Sequence, residues 1–340
     1  MQVSNYSNVF QITANKNKKA PNKNKQVGYQ LGDLAENKHQ NKNKTMQTDQ
    51  PTQDNHHVPV LLETVLQYLA PQPGETYLDL TAGYGGHAKA VLERTGNPTG
   101  VTLVDRDRQA VAALQPLVKQ GAKMIHSDFL QASEQLADSG NEYDMVLADL
   151  GVSSPHLNNG SRGFSFVTEA ELDMRMDQRQ TLSAHNVVND YSEAELTDIL
   201  WRYGEEPKSR QIARLIVRNR PFHTTTELAN VVKKAWPGHS KVHPATRTFQ
   251  AVRIAVNDEI ALLQKALPLW ISLLKPGGRI AVISFHSLED RVVKQLFAEY
   301  AEGYEAKIAV LTKKPATASE HELVFNPRAR SAKLRAAAKK

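Results

Sequence analysis

Residues 78–89 read LDLTAGYGGHAK, an apolar run that breaks into small residues and glycines before a string of helix formers. A strand, a glycine-rich turn and a helix in this order hold nucleotide-like ligands. Without Cβ atoms the backbone can approach the ligand, and the helix N-terminus offers unpaired N–H groups. Gly83, Gly85 and Ala88 satisfy the dinucleotide spacing G-x-G-x-x-G/A. Asp105, 20 residues beyond Gly85, ends the next apolar run, where a carboxylate accepts the ribose hydroxyls of either NAD or S-adenosyl-L-methionine. The glycines alone leave that choice open. Asp79 tips it, because a carboxylate ending the first strand would oppose a pyrophosphate but attract an ammonium and a sulfonium. Charges about 4 Å apart under partial solvent shielding interact by a few kcal/mol, which favours S-adenosyl-L-methionine.

The elements that must position these residues are legible as an alternation. VPVLLETVLQYL places Val60, Leu61, Val65, Leu66 and Leu69 at helical spacing before Pro71. TYLDL (76–80), GVTLVD (100–105), AKMIHSD (122–128) and YDMVLADL (143–150) are expected strands, and HAKAVLERT and RQAVAALQPLVKQ the helices between them. Apolar strands separated by helices imply an α/β fold, a Rossmann-like and mainly parallel sheet covered on both faces. Between 158 and 246 the strands stop. The capping boxes Ser192 with Glu195 and Thr224 with Glu227, and the amphipathic SRQIARLIVRNR, mark an inserted all-α domain. One long helix is expected from about Thr246, with Phe249, Val252, Val256, Ile260 and Leu263 on one face. RIAVISF (279–285), AKIAVL and HELVF are expected as the last strands, seven in all. The expected organisation is therefore 56–157 with 247–340 as the sheet domain and 158–246 as the insertion.

Residues 1–55 repeat NKNK three times among Gln, Ser and Thr and are expected to be a disordered extension. No run approaches the roughly 18 apolar residues of a membrane span, and the first residues lack the apolar centre of a secretory signal. There is no cysteine, so thiolate metal sites, disulfides and cysteine nucleophiles are excluded and the cytoplasm is the expected compartment. The net charge of +6 is uneven: residues 326–340, NPRARSAKLRAAAKK, hold six basic residues and no acid, the first 50 residues are also basic, and the stretch between is net acidic. A basic tail on an acidic body points to a polyanion met at one edge.

Further blocks carry a resemblance. LLKPGGRIAVISF resembles the start of the fifth strand of many S-adenosylmethionine-dependent methyltransferases. ADLGVSSP (148–155), RGFSF (162–166) with LDMRMD (172–177), SFHSLEDR (284–291) and NPRARSAKLR (326–335), together with HVPVLLETV and TAGYGGHA, resemble the signature blocks of the bacterial small-subunit rRNA N4-cytidine methyltransferases over roughly 57–337. The resemblance implies a class I, seven-stranded methyltransferase domain that methylates the exocyclic N4 of a cytidine in the decoding region (P site) of 16S rRNA. It further implies cofactor contacts at Gly85, Gly86, His87, Asp105, Phe129, Asp149 and position 156, where His156 stands in place of the family's usual Gln. Gly83 and Asp79 belong to the same expected cofactor set. No metal is expected, the partner is 16S rRNA or the 30S subunit, and the oligomeric state, a dimer included, stays open.

The target sets its own demands. The N4 lone pair is delocalised into the ring, so the enzyme must localise it, aim it at the methyl group and take up a proton. The loop from Asp149 to Pro155 is the expected holder of the amine, with Asp149 accepting one hydrogen or serving only the cofactor. His286 ends the fifth strand at the carboxyl edge and is a candidate for RNA contact or proton shuttling. Glu289, Asp290 and Arg291 read as the start of the following helix, and His243 as structural. Arg162, Phe164 and Phe166 have the composition of a loop that stacks a flipped base and holds its phosphate. Arg328, Arg330, Lys333 and Arg335 are the expected RNA backbone contacts. Rival readings are a methyltransferase of another RNA or DNA position, a non-catalytic ribosome-assembly protein, and an NAD-dependent oxidoreductase.

Overall fold

A computed structural model describes residues 59–151, 162–238 and 243–340, all within one compact unit. The expected alternation folds into β1 (Tyr77–Asp79), β2 (Val101–Asp105), β3 (Lys123–His126), β4 (Tyr143–Asp149), β5 (Leu274–Ser284), β6 (Ile308–Val310) and β7 (Lys333–Lys339). They form one seven-stranded sheet in the order β3-β2-β1-β4-β5-β7-β6. The first five strands pair in parallel, and β7 is antiparallel to both β5 and β6. Strand order reverses between β1 and β4, the switch point at whose carboxyl edge open α/β sheets bind ligands.

The continuous apolar runs are explained by cover on both faces. In β4, Val146 and Ala148 join one core while Met145 and Leu147 join the other, as the two-residue period of a strand requires. α1 (Leu62–Leu69), α2 (Gly86–Thr95), α3 (Arg108–Ala113) and α4 (Gln115–Lys119) cover one side. α5 (Phe129–Asp138), α11 (Glu259–Ser272) and α12 (Ser287–Ala301) cover the other. There Trp270 is fully buried and its Nε1 donates to Ser133 Oγ at 3.0 Å, so the largest side chain of this core leaves no unpaired donor.

The insertion is helical as expected: α6 (Ala184–Asp190), α7 (Glu193–Arg202), α8 (Ser209–Arg218), α9 (Thr225–Lys233) and α10 (Ala245–Asn257). Both capping boxes form, with Ser192 Oγ accepting the Glu195 N–H at 3.2 Å and Thr224 Oγ1 that of Glu227 at 3.3 Å. These helices enclose a third core of their own, from Phe164 to Val256.

Three expectations fail, each for a physical reason. The long helix after Thr246 is two helices, broken at Asp258, whose φ of 50° is left-handed. Phe249, Val252 and Val256 of α10 face the helical core and Leu263 of α11 faces the sheet, and one straight axis does not serve both. Packing thus passes from one core to the other at Asp258, later in the chain than the expected 246/247 division. Buried Asn257 secures the bend: its Oδ1 accepts the Met176 N–H at 2.9 Å and its Nδ2 donates to Met174 O at 2.8 Å. Second, HELVF is no strand but part of α13 (Glu320–Phe325), started by Ser319 Oγ accepting the Glu322 N–H at 3.1 Å. Third, the seventh strand lies inside the basic tail. KLRAAAK is inserted between β5 and β6, where its alanines fit the crowded interior.

Candidate active site

At the carboxyl edge of β1, β2, β4 and β5 a cavity of about 530 Å³ opens between the sheet and the helical insertion. The turn after β1 forms one wall. Gly83, at a left-handed φ of 52°, donates its N–H to Asp105 Oδ2 at 2.8 Å, and the Asp107 N–H reaches Oδ1 at 2.8 Å. The Asp105 carboxylate is therefore held rigidly at the end of β2, with burial raising its pKa above the usual range. Gly86 passes beneath Pro59, whose Cγ would lie 2.4 Å from an added Cβ. His87 is buried: its Nε2 pairs with Val60 O at 2.9 Å, and its Nδ1 lies 3.9 Å from Asp149 Oδ2. Phe129, at the start of α5, closes another side with its ring edge-on to Trp270 at 5.5 Å.

The floor is acidic. Asp149 ends β4 with its N–H on Thr81 Oγ1 at 2.6 Å, and its Oδ1 is buried without a hydrogen-bond partner among the described residues. Burial, and then the neighbouring charges of Asp79 and Glu289, push its pKa well above the usual carboxylate range. Beside it His286 caps α12. Its Nδ1 accepts the Glu289 N–H, and Glu289 Oε2 accepts the N–H of Phe285 at 2.8 Å and of His286 at 3.3 Å. Burial pushes Glu289 up, but His286, Arg253 and those backbone donors outweigh it and hold it below its usual value. Arg253 of α10 is clamped by Glu259 of α11 through two 2.9 Å bonds across the bend at Asp258. Glu259, His286 and Glu289 bring donor atoms within 4.8 Å of one another. Both Glu259 oxygens already serve Arg253, however, so this cluster has a guanidinium as its cation.

Of the expected site residues, Gly83, Gly86, His87, Asp105, Phe129, Asp149, Phe164, His286 and Arg328 line this one cavity. Others are reassigned. Asp79 does not face it; it lies beneath, 1% exposed, accepting the Tyr77 hydroxyl at 2.9 Å and the Thr81 N–H at 3.2 Å, and burial raises it to about 7. Gly85 is not among the lining residues; it leaves room for Leu114, 2.9 Å from where its Cβ would be, at the start of α2. Arg162 is no RNA-facing loop residue but a buried clamp, donating to the carbonyls of Arg175 at 2.8 Å and Met176 at 3.2 Å. Phe164 is part of the helical core as well as the cavity wall, and Phe166 stacks on His243 at 4.6 Å. Arg335 is buried in β7 and paired with Asp290 at 2.7 Å, with Lys333 3.7 Å from the same carboxylate. Arg328 and Arg330 remain at the surface. His156 and the loop 152–155 lie outside the described residues. Sequence reasoning missed Tyr84 in the glycine turn, Asp128 at the cap of α5, and Gln250, Arg253 and Glu259 on helices as wall residues, because nothing local distinguishes a position that faces a cavity from one that faces a core or solvent.

A seven-stranded sheet with an antiparallel last-but-one strand, and a glycine turn with an acid held at its switch point, define a Rossmann-like class I methyltransferase. The chain belongs to the MraW methylase family, whose profile matches residues 54–340. It is 49% identical to "Ribosomal RNA small subunit methyltransferase H" of Synechocystis sp. over 84% of this chain and 94% of that one. To the protein of the same name from Trichormus variabilis it is 50% identical over 84% and 92%. Among solved structures, a putative methyltransferase from Streptococcus mutans in complex with SAH covers 83% of this chain at 10% identity and a TM-score of 0.40. The methyl donor is S-adenosyl-L-methionine, and the residues present fit it. Asp105, Asp128, Phe129 and Asp149 all line the cavity, and the Gly83 and Asp107 N–H groups hold the Asp105 carboxylate in place. Among the described residues no helix is long and apolar enough to cross a membrane.

Proposed function

We propose that this protein transfers a methyl group from S-adenosyl-L-methionine to the exocyclic N4 of a cytidine in the decoding region of 16S rRNA, as free rRNA or in the 30S subunit, in the cytoplasm. The name shared by the relatives supports the small-subunit rRNA as substrate. The observation that carries the choice of atom is Asp149 Oδ1, a buried acceptor that has no hydrogen-bond partner among the described residues, on the cavity floor. An exocyclic amine has two N–H groups to offer such an acceptor. A ring carbon offers no such donor.

When bound, the cofactor supplies an electrophilic methyl group. Asp149 would accept one amine hydrogen and so hold the nitrogen with its lone pair localised for attack on an electrophilic methyl group. Asp149, in its ionised form, would take up the proton that the amine gives up on methylation. A carboxyl group raised by burial is a better base than an exposed one. The helical insertion, 158–246 together with α10, supplies Phe164, Phe166 and Phe249 as the apolar side of the base pocket.

The test is incubation with labelled S-adenosyl-L-methionine and unmethylated 30S subunits, followed by mapping of the labelled atom. Label on one cytidine N4 is expected. No label, or label on a carbon or ribose, overturns the proposal. Asp149→Asn should keep cofactor affinity within a few-fold and lose methylation by about 100-fold or more.

A further inference from the structure

His286 has its proton placed by the fold. It is the N-cap of α12, in extended backbone at φ −138° and ψ 167°, and its Nδ1 accepts the Glu289 N–H at 3.4 Å. A neutral imidazole has one donor and one acceptor nitrogen. With Nδ1 committed as acceptor, the proton sits on Nε2. His286 lines the cavity with its side chain 8% exposed, and its Nε2 is buried with no hydrogen-bond partner among the described residues. Glu289 Oε1 lies 3.2 Å away in an ion-pair contact but off the hydrogen-bond axis of Nε2, so a ring nitrogen placed in line would complete the N–H where Glu289 does not. Leaving such a group unsatisfied is costly unless a ligand completes it.

The complementary atom is nearby. Asp149 Oδ1 is the other polar atom of the cavity floor with no partner among the described residues. Asp149 pairs with Ile283 across β4 and β5, and His286 follows three residues on at the same sheet edge. Gly151, next in the Asp149 loop, packs on Phe285, with 3.3 Å from where its Cβ would be to the ring. One buried acceptor beside one buried donor is the complement of the cytosine edge, which offers the N4 hydrogens and the N3 lone pair side by side. Uracil offers the reverse, an acceptor at O4 and a donor at N3.

We propose that His286 is a specificity-determining residue that donates its Nε2–H to N3 of the target cytosine, with the α12 cap locking the tautomer that makes it a donor. This rests on the N4-cytidine reading above and adds the base-reading partner of Asp149. Holding N3 also fixes the ring in its plane, so His286 positions the amine as well as selecting it.

His286→Asn separates the cap from the donor. Asn is among the best N-caps, and its Oδ1 can take the Glu289 N–H, but it has no group at the Nε2 position. The experiment compares the parent enzyme and His286→Asn on 30S subunits reconstituted with 16S rRNA that carries either cytidine or 3-deazacytidine, which has C–H in place of N3, at the modified position. The variant should keep its melting temperature and S-adenosyl-L-methionine affinity and lose about ten- to a hundred-fold in kcat/KM on cytidine. The parent enzyme should lose a similar factor on 3-deazacytidine, and the variant should lose little more on that substrate. Parent-level activity of the variant on cytidine, or losses that multiply, overturns the proposal and makes His286 a cap alone. Should the variant unfold, equal parent rates on the two substrates overturn it by themselves. If the parent enzyme labels no cytidine N4 at all, the reading of the reaction fails and this inference falls with it, a result distinct from the multiplying losses.

Discussion

Single residues carry the electrostatics of the site, and Asp79 shows how burial changes their meaning. An acid ending β1 is readable from the sequence as a charge opposite a cationic cofactor. In the fold it is beneath the cavity, raised from 3.8 to about 7. A carboxyl group raised in the folded state stabilises fully below its unfolded value, and that contribution is lost as pH rises through about 7. The loss amounts to roughly 4 kcal/mol at most. Asp79→Asn removes the titration, so in cofactor-free protein the variant should gain stability relative to the parent as pH rises from about 5 to about 8. Urea midpoints across that range check this, and a constant difference would show that Asp79 ionises at its ordinary value. The places of Gly83 and Asp105 were legible because they are local: a positive φ and a strand end are both properties of a few consecutive residues.

Elements decide which of the basic residues at the C-terminus meet solvent. As a string, NPRARSAKLR is a cationic tail. As structure, its second half is a sheet strand and only its first half, the turn Pro327–Ser331, reaches the cavity mouth. The two halves should therefore respond differently. Arg335→Met leaves the half-buried Asp290 with Lys333 alone and should lower stability by about 2–3 kcal/mol, read as an earlier urea midpoint. Exchanging Arg328 and Arg330 for Gln should leave stability within about 0.5 kcal/mol. It should make the dependence of log affinity for rRNA on log salt shallower, by roughly 0.7 for each phosphate no longer neutralised. An unchanged slope would remove both from the RNA interface. The same scale explains α13, where the cap Ser319 with Glu322 outweighs the β-branched look of HELVF, and the break at Asp258, where two cores compete for one apolar stripe.

For the whole molecule, the sheet's switch point and the helical insertion form one cavity, in which Asp105, Asp149 and the aromatic wall come from elements far apart in the chain. A ligand that completes this cavity should stabilise the folded state by mass action. S-adenosyl-L-methionine at a hundred times its Kd should raise the melting temperature, by about 2.7 kcal/mol of added stability, while NAD at equal concentration should not. Equal shifts would return the glycine turn to the dinucleotide reading.

The class of fold, the glycine turn, Asp105, the capping boxes and the family were all legible in the amino-acid order, since each depends on local spacing or on blocks that keep their order along the chain. Only the folded arrangement established that Asp79 and Arg335 are buried, that Arg162 is a clamp, and that Arg253 and Glu259 belong to the cavity. It was also needed to show that the helix cap leaves His286 with a donor on Nε2. Burial and partnership join residues tens to hundreds of positions apart, and no local pattern records which face of an element another element will cover.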